Sequence, residues 1–458
     1  MSSSPPSLSA LPASSNSRFG WERRAWLIGF LLLLAFGGLV EVRSAFLKRP
    51  MTDLQVYLRA AWAVRSGADL YAITDDNHWH YHYPPLLAIL LTPLADPPPG
   101  LPREGAVPFS VSVAIWFLFS VACLAWGVQA LCRALEETSP ITSLGPAAFS
   151  RWHALRAIPI LICAIPIGET LSRGQVNLIL LALICGLIAA ILRGRRWQAG
   201  FWLAGAICLK IIPAFLLIYP LWRRDLRCLG GCALGLAIGL GVVPGVVLGP
   251  ERTLGYFQEW TNALLRPALG RGEDQSRAKE LIDVTGTDSQ APLALLHNGL
   301  HADRATRPKE ATDAVRMGHG LIIGVLTLLT LAAAGWRTKR DPSREVLFLG
   351  ALTLVMILAS PVCHLHYFCL SLPLVAGLLT VVLERTDNVR IRTGFVVLAA
   401  AFFVCSLLPV IPRLEFLRDH GLATYGNLLM LSAALVRLRF GRPVANASAE
   451  PEHLSLAA

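Results

Sequence analysis

The sequence predicts an all-α protein that crosses a membrane many times. Of its 458 residues, 54% are hydrophobic and only 16% are charged, whereas a soluble globular domain carries about 25% charged residues. Apolar stretches of about 20 residues, the length that a helix needs to cross the hydrocarbon core, recur along the chain. Candidate spans are residues 25–42, 108–131, 154–170, 175–192, 228–249, 317–335, 345–361, 367–383, 393–412 and 421–437.

Charge and cysteine usage argue against two other classes of protein. The formal net charge of +11 could indicate nucleic-acid binding, but the Lys and Arg residues cluster in loops beside apolar segments. That distribution is typical of cytoplasmic membrane anchoring, and we expect no nucleic-acid partner. Most of the ten cysteines lie inside apolar runs and none forms a CxxC pair, so neither a disulfide framework nor a zinc site is predicted.

The chain is predicted to form one membrane domain, residues 25–440, between disordered cytoplasmic ends at 1–24 and 441–458. The first 20 residues are rich in Ser and Pro, a composition typical of disorder. The run from Ala25 to Val40 follows two arginines and is not followed by a convincing cleavage site. We therefore expect a retained first span rather than a signal peptide.

Loop charge sets the expected topology, because loops that are rich in Lys and Arg stay in the cytoplasm. Strict alternation agrees with the basic loops everywhere except around residues 197–222, which have basic flanks on both sides. A helical hairpin or broken re-entrant pair that turns near Lys210–Pro213 resolves the conflict, since Pro213 favours a helix break. Counting both halves gives about twelve helices, with both termini in the cytoplasm.

This topology brings three loops to the extracytoplasmic face: residues 43–107, 250–316 and 362–366. Asp53 lies in the first of them. It could act as a general base, since a carboxylate within hydrogen-bond reach can remove a proton from an attacking hydroxyl. It could equally cap the helix that its own segment predicts. Position alone leaves the two interpretations about even.

Three histidines, His78, His80 and His82, alternate with aromatic residues in the same loop. Alternation would place the three imidazoles on one face of an extended segment, which could suit a metal ion. No cysteine and no obvious fourth ligand stand nearby. An aromatic stretch facing a carbohydrate or the lipid headgroups is the favoured interpretation, since Tyr and Trp prefer the membrane interface.

Two further segments place polar groups at the same face. Arg173 could hold a phosphate, and the amides of Gln175 and Asn177 could hydrogen-bond sugar hydroxyls. The alternative is a tight turn at Gly174 that caps the next helix. Another pair, His364 and His366, follows a span, and one imidazole could protonate or orient a leaving phosphate or pair with the base. A headgroup-level His cluster is the alternative.

Lys210 lies within an otherwise apolar run. An ionisable residue in the membrane is costly and by default marks a functional site. We favour an anionic lipid phosphate as its partner. A structural ion pair with Glu169 is the alternative.

Four of these stretches, in this order, resemble glycosyltransferase family 87. The first runs from Asp53 through residues 67–71 to Tyr83–Leu86, the second is 174–177, the third is 199–213 with Lys210, and the fourth is Ser360–Pro361 followed by His366. Together they span residues 50–370. The chain departs from the family pattern at His364, where an aromatic residue is expected, and at Tyr367, where a second His is common.

The resemblance implies a GT-C architecture, a lipid-phosphate sugar donor and an inverting transfer assisted by an aspartate. Asp53 and His366 match the catalytic positions, while Tyr83, Arg173, Gln175, Asn177, Lys210 and His364 are expected to bind substrate. We therefore predict a hexosyltransferase, with mannose favoured, of a bacterial inner membrane. It would act on a glycolipid or glycan at the outer face, without a metal or another cofactor. The alternative, a flippase for lipid-linked sugars, would predict internal repeats and polar groups on both faces.

Overall fold

The computed structural model describes residues 15–47, 51–138, 148–266, 280, 282–286, 288–336, 341–384 and 388–441. The tail after residue 441, the first fourteen residues and parts of the predicted loops (139–147, 267–279, 337–340 and 385–387) lie outside these ranges. The first helix begins at Ser15, within the N-terminal segment that was expected to be disordered.

The described residues are helical almost throughout, as the composition predicts. The helices are Ser15–Glu41 (α1), Thr52–Ser66 (α2), Pro85–Leu90 (α3), Phe109–Thr138 (α4), Ala148–Ile162 (α5), Ala164–Arg173 (α6), Asn177–Leu192 (α7), Arg196–Leu209 (α8), Ile218–Trp222 (α9), Leu226–Leu236 (α10), Val243–Leu248 (α11), Pro250–Trp260 (α12), Pro292–Leu300 (α13), Asp313–Ala334 (α14), Pro342–Ala359 (α15), Leu372–Glu384 (α16), Val389–Leu407 (α17), Glu415–Asp419 (α18) and Leu422–Phe440 (α19).

Shorter helical segments extend several of them. Turns of π-helix occupy Val42–Phe46, Ala237–Val242 and Thr261–Leu265, and 3₁₀ segments occupy Thr92–Leu94, Ile212–Leu217, Leu365–Ser371 and Leu408–Val410. Within the described ranges, extended pairing is limited to one isolated bridge between Thr74 and His80.

Seven helices in the described part of the chain are long and apolar enough to cross a membrane, or eight if one bent pair counts as a span. The protein is therefore a multi-pass membrane protein. The bent pair is α5 and α6, which meet at 66° at Cys163, where the sequence predicts a single span. Pro159 and Pro166 flank this bend: Pro159 removes one backbone hydrogen bond within α5, and Pro166 has no N–H to bond back across the bend. The expected total of about twelve helices stays a prediction.

The expected return of the chain at Lys210 is present. The helices α8 and α10 run parallel and in contact, since Trp197 packs on Gly230, Ala204 on Gly235 and Cys208 on Gly239. A Cβ atom at Gly200 would collide with the backbone of Cys228, so this close packing requires glycine. When two consecutive helices are parallel, the chain between them must run back in the opposite direction. Residues 212–222 therefore lead back to the end at which α8 begins.

Ion pairs mark that end of the bundle. Arg196 at the start of α8 lies 3.4 Å from Asp225, and Arg223 lies 3.0 Å from Glu345. The neighbouring residue Arg193 follows the last turn of α7 and pairs with Glu137 at 2.6 Å. Arginine is thus concentrated where loop charge predicts the cytoplasmic side. We call this the arginine end.

The first outer loop folds back on α2 through a buried arginine. Arg59 is only 2% exposed, and its guanidinium lies 3.0 Å from Asp76 and 3.3 Å from Asp96. Gln55, one turn earlier on α2, donates to Asp76 at 2.5 Å. Because the Asp76 and Asp96 carboxylates come from distant parts of the loop, these bonds fix the loop around the helix that carries Asp53.

Candidate active site

Asp53 lies in the first turn of α2 and points at the turn between α6 and α7. Its Oδ1 accepts a hydrogen bond of 2.6 Å from Nε2 of Gln175. Oε1 of the same amide accepts from Tyr57 Oη at 3.2 Å. Asp53 and Tyr57 are four residues apart, so they share one face of the helix. The residue at the N-cap position is Met51, and the carboxylate of Asp53 bonds to a distant amide instead of capping α2.

The protein environment makes Asp53 a weaker acid than usual. Burial raises the pKa of Asp53 to about 6, because the charges of Arg173 and Lys210 and the Gln175 hydrogen bond offset only part of the desolvation. A carboxylate with a pKa near 6 is ionised at neutral pH and is still basic enough to accept a proton. This is the electrostatic character that a general base requires.

Gly174 allows this close approach of α2 to α6. It has φ of +69° and ends α6 in the left-handed conformation. A Cβ atom at this position would lie 2.7 Å from Cβ of Leu54 on α2. The carbonyl of Gly174 accepts from Trp116 Nε1 at 2.8 Å. The tight turn expected from the sequence is therefore present, and it also positions Gln175 against Asp53.

Lys210 lies at the turn of the hairpin, where α8 ends in extended backbone. Its side chain is buried, and Nζ donates to Asn177 Oδ1 at 3.3 Å. The ammonium also lies over two aromatic rings, 4.1 Å from the centre of Tyr367 and 5.4 Å from that of Tyr83. Tyr367, a departure from the family pattern, thus contributes directly to the surroundings of Lys210.

No carboxylate among the described residues lies within 4.0 Å of Lys210 Nζ. The alternative partner, Glu169, instead pairs with Arg173 four residues later at 3.5 Å. Two other polar atoms near Lys210 are buried without a hydrogen-bond partner in the described part of the chain, Nδ2 of Asn177 and Nε2 of His366. Buried polar groups are normally paired, so unpartnered polar atoms around a buried cation indicate a place for a ligand, and the cation favours an anion.

The two histidines of the fourth motif lie side by side at the start of the 365–371 segment. Their rings stack with centres 5.5 Å apart, and His366 also contacts Tyr367 at 4.9 Å. Thr170 Oγ1 donates to the carbonyl of His366 at 3.0 Å, which ties this segment to α6. His364 lies 3.4 Å from the carboxylate of Asp288 in the second outer loop.

The predicted site residues therefore form one continuous set. Contacts link Asp53 to Gln175, Tyr57 and Tyr83, then to Lys210 and Tyr367, and finally to His366 and His364. Arg173 lies at the rim of the set, 40% exposed and paired with Glu169. Sequence reasoning missed Tyr57 and Trp116. For Tyr57, the spacing of four residues from Asp53 within a predicted helix is a signal that could have found it.

The expectation that three imidazoles share one face is wrong. His78 is exposed and has φ of +65°, a turn conformation that reverses the direction of the chain. His80 and His82 instead pair with Glu280, at 2.7 and 3.3 Å. Burial alone would raise the pKa of Glu280, but the bonds from His82 and His80 outweigh it and lower the pKa to about 2. Across the described ranges, no three His, Cys, Asp or Glu side chains are grouped to bind a metal.

Comparison with known families and proteins agrees with the sequence motifs. The model of glycosyltransferase family 87 matches residues 81–361, more than half of the chain. A polyprenol-phosphate-mannose-dependent α-(1-2)-phosphatidylinositol mannoside mannosyltransferase of Mycobacterium tuberculosis is 30% identical over 218 residues, 46% of this chain and 48% of that protein. A pentamannoside mannosyltransferase of Mycolicibacterium smegmatis, dependent on the same donor, is 26% identical over 319 residues, 68% of this chain and 70% of that protein.

The alignments to the M. tuberculosis protein and to its M. smegmatis counterpart span about half of each relative's length. The crystal structure of ArnT from Cupriavidus metallidurans bound to undecaprenyl phosphate is similar at 14% identity and a TM-score of 0.37, covering 92% of this chain and 78% of that chain. At that score the likeness is weak, and the fold described above rests on the helices of this chain alone.

Proposed function

This chain belongs to glycosyltransferase family 87, and we propose that it transfers a hexose from a polyprenyl-phosphate donor to a hydroxyl of a glycolipid or glycan. Mannose is the favoured sugar, since relatives of this chain are named as polyprenol-phosphate-mannose-dependent mannosyltransferases. The transfer would invert the configuration at the anomeric carbon.

One observation carries the proposal: Lys210 is buried, and no carboxylate of the described chain pairs with it. The charge of Asp53 reaches Lys210 without forming an ion pair, and a buried cation without a contacting anion is costly, so its retention indicates a ligand that supplies the negative charge. The phosphate of a lipid donor has that charge, and its tail would reach the site from the bilayer. Asn177 Nδ2 and His366 Nε2 would donate to the same phosphate.

In the proposed reaction, Asp53 removes the proton from the acceptor hydroxyl as the hydroxyl oxygen bonds to the anomeric carbon. The bond between that carbon and the donor's phosphate oxygen breaks, and the lipid phosphate leaves with both bonding electrons. Lys210 neutralises the charge that develops on the leaving group. Since a phosphate leaving group needs mainly alignment and charge stabilisation, no further cofactor is required in this scheme.

The other residues of the site have supporting roles in this proposal. Gln175 uses both ends of its amide for Asp53 and Tyr57, so it orients the base rather than holding a sugar. Tyr83 forms a wall between Asp53 and Lys210, where a sugar ring would lie. Arg173 and His364 lie at the rim, where the acceptor would enter.

We also infer that the site faces away from the cytoplasm, in the inner membrane of a bacterium. Asn177 at the start of α7 belongs to the site, and Arg193 after its end belongs to the arginine end. The helix has 16 residues, which separates the two ends by about 24 Å. Because basic loops stay inside, this separation supports an extracytoplasmic site.

A transfer assay with Asp53→Asn tests the proposal. The purified protein in lipid nanodiscs would receive radiolabelled polyprenyl-phosphate mannose and a membrane glycolipid extract as acceptor. Wild-type protein should label the acceptor, and Asp53→Asn should lose at least 100-fold of the rate because it lacks the base. Glu104→Gln is the matched control, since Glu104 is an exposed carboxylate of the same loop. Full turnover by Asp53→Asn contradicts the role of Asp53, and movement of intact donor across vesicles without labelling favours a flippase.

A further inference from the structure

Three successive backbone carbonyls of the first outer loop each accept a hydrogen bond from an aromatic side chain. The carbonyl of His82 accepts from Trp260 Nε1 at 3.1 Å. Next along the chain, the carbonyl of Tyr83 accepts from Tyr71 Oη at 3.0 Å. The carbonyl of Pro84 accepts from Tyr81 Oη at 2.8 Å. We call this set of three bonds the carbonyl clamp.

The backbone at this point needs such donors. Pro84 and Pro85 have no N–H groups, and α3 begins only at Pro85, so residues 82–84 are not part of a helix. Carbonyls that leave water must find donors elsewhere. Tyr71, Tyr81 and Trp260 are all less than 10% exposed, and aromatic side chains have few rotatable bonds. The donors of the clamp are therefore fixed in place.

The central residue of the clamp is the one whose side chain enters the site. The ring of Tyr83 meets the ring of Tyr57 edge-on at 5.4 Å, and the ammonium of Lys210 lies 5.4 Å from its centre. The carbonyls of His82 and Tyr83 belong to the two peptide planes that meet at the Cα atom of Tyr83, and this Cα atom carries the Tyr83 side chain. Holding the carbonyls on both sides of Tyr83 therefore sets the direction of its ring.

The side chain that donates to the His82 carbonyl, Trp260, belongs to the second outer loop. Trp260 ends α12, whose Tyr256 also donates to the carbonyl of Ala68 at 3.1 Å. Thr253, Tyr256 and Trp260 lie on the buried face of this helix, while Leu254 on the other face is 65% exposed. The second outer loop thus contacts the first along one side of α12, and Trp260 is the contact next to the site.

We propose that Trp260 and Tyr71 are positioning residues that hold Tyr83 in the wall of the active site. Through Trp260, the second outer loop controls the geometry of a residue of the first. This proposal rests on the transferase function proposed above. The proposal gives α12 a role in catalysis although none of the residues of α12 contacts Asp53 or Lys210 in the described structure.

A double-mutant cycle tests whether these residues act through Tyr83. Tyr71→Phe removes one hydroxyl and Trp260→Phe removes the indole N–H, and each should lower kcat/KM about tenfold, because misplacing a substrate contact by 1 Å can cost up to about 100-fold. In a Tyr83→Ala background the same changes should have little further effect. Trp222→Phe is the matched control, since the same change there removes an indole N–H that donates to the carbonyl of Gly335 at the arginine end, away from Tyr83.

Hydrogen–deuterium exchange without substrate gives an independent measurement. The peptide covering residues 78–91 should exchange faster in Tyr71→Phe and Trp260→Phe, but not in Trp222→Phe. Equal losses of activity with and without Tyr83, or unchanged activity and exchange in both variants, would overturn the positioning role. Wild-type protein that transfers no sugar would refute the proposed function instead, while the exchange data would still report on the clamp.

Discussion

At the arginine end of the bundle, Arg193, Arg196 and Arg223 each lie within 3.4 Å of a carboxylate. At the opposite end of α7 and α8, the nearest polar partner of the buried Lys210 in the described structure is the amide of Asn177. Both ends contain basic groups in or beside a membrane. Paired charges at one end indicate anchoring and stability, whereas an unpaired charge at the other indicates a ligand.

The largest effect should come from Lys210→Met, which keeps the apolar stem and removes the ammonium. Transfer should fall about 100-fold or more, because the departing phosphate loses its counter-charge. The melting temperature of the substrate-free protein should change little, because the ammonium that is removed has no carboxylate of the described residues within 4.0 Å and interacts with the charge of Asp53 only at longer range. Transfer rates and thermal unfolding in detergent measure both. A large loss of thermal stability would show that Lys210 is as structural as the arginines at the other end.

Breaking an ion pair at the arginine end should give the opposite pattern. Glu345→Gln leaves Arg223 without its carboxylate and weakens the bond from Tyr219 Oη, now 2.8 Å. Removing one partner of a buried pair should cost about 3 kcal/mol of stability. The rate per folded molecule should change less than twofold, because α15 carries Glu345 about 22 Å away from Ser360 at the end nearer the site. Loss of turnover in correctly folded protein would contradict this separation of roles.

The smallest expected effect is the dependence of the transfer rate on pH. Burial raises the pKa of Asp53 to about 6, so below pH 6 the carboxyl is protonated and cannot accept the acceptor's proton. Transfer should rise about tenfold per pH unit up to 6 and level off above it. Rate profiles between pH 3 and 8 measure this. An inflection near pH 4, or one that persists in Asp53→Asn, would assign the titration to another group.

Much of the fold follows from the sequence because bilayer thickness sets helix length and loop charge sets orientation. The hairpin at Lys210 was predictable for the same reason, since basic flanks on both sides allow no single crossing. The bend at Cys163 was not predicted. Its prolines were visible, but a bent helix is stable only where its neighbours fill the space, and composition does not report those neighbours.

The site residues could be named in advance, but their partners could not. Short motifs at Asp53, Lys210 and His366 were recognisable in order along the chain. That Gln175 bonds to Asp53 depends on a contact between residues 122 positions apart. The three histidines show the converse, since strict alternation predicts one shared face, and the turn at His78 separates it from the other two.

The sequence by itself determined that this protein is a helical membrane protein of glycosyltransferase family 87, because hydropathy and short motifs are local properties. The tertiary structure alone decided which charge is left without a partner. Whether Glu169 pairs with Lys210 or with Arg173, and whether Trp260 reaches the backbone beside Tyr83, depends on how distant segments pack. Whether a charged residue in a membrane protein binds a ligand or stabilises the fold depends on the residues that surround it, and packing brings those residues together from distant parts of the sequence.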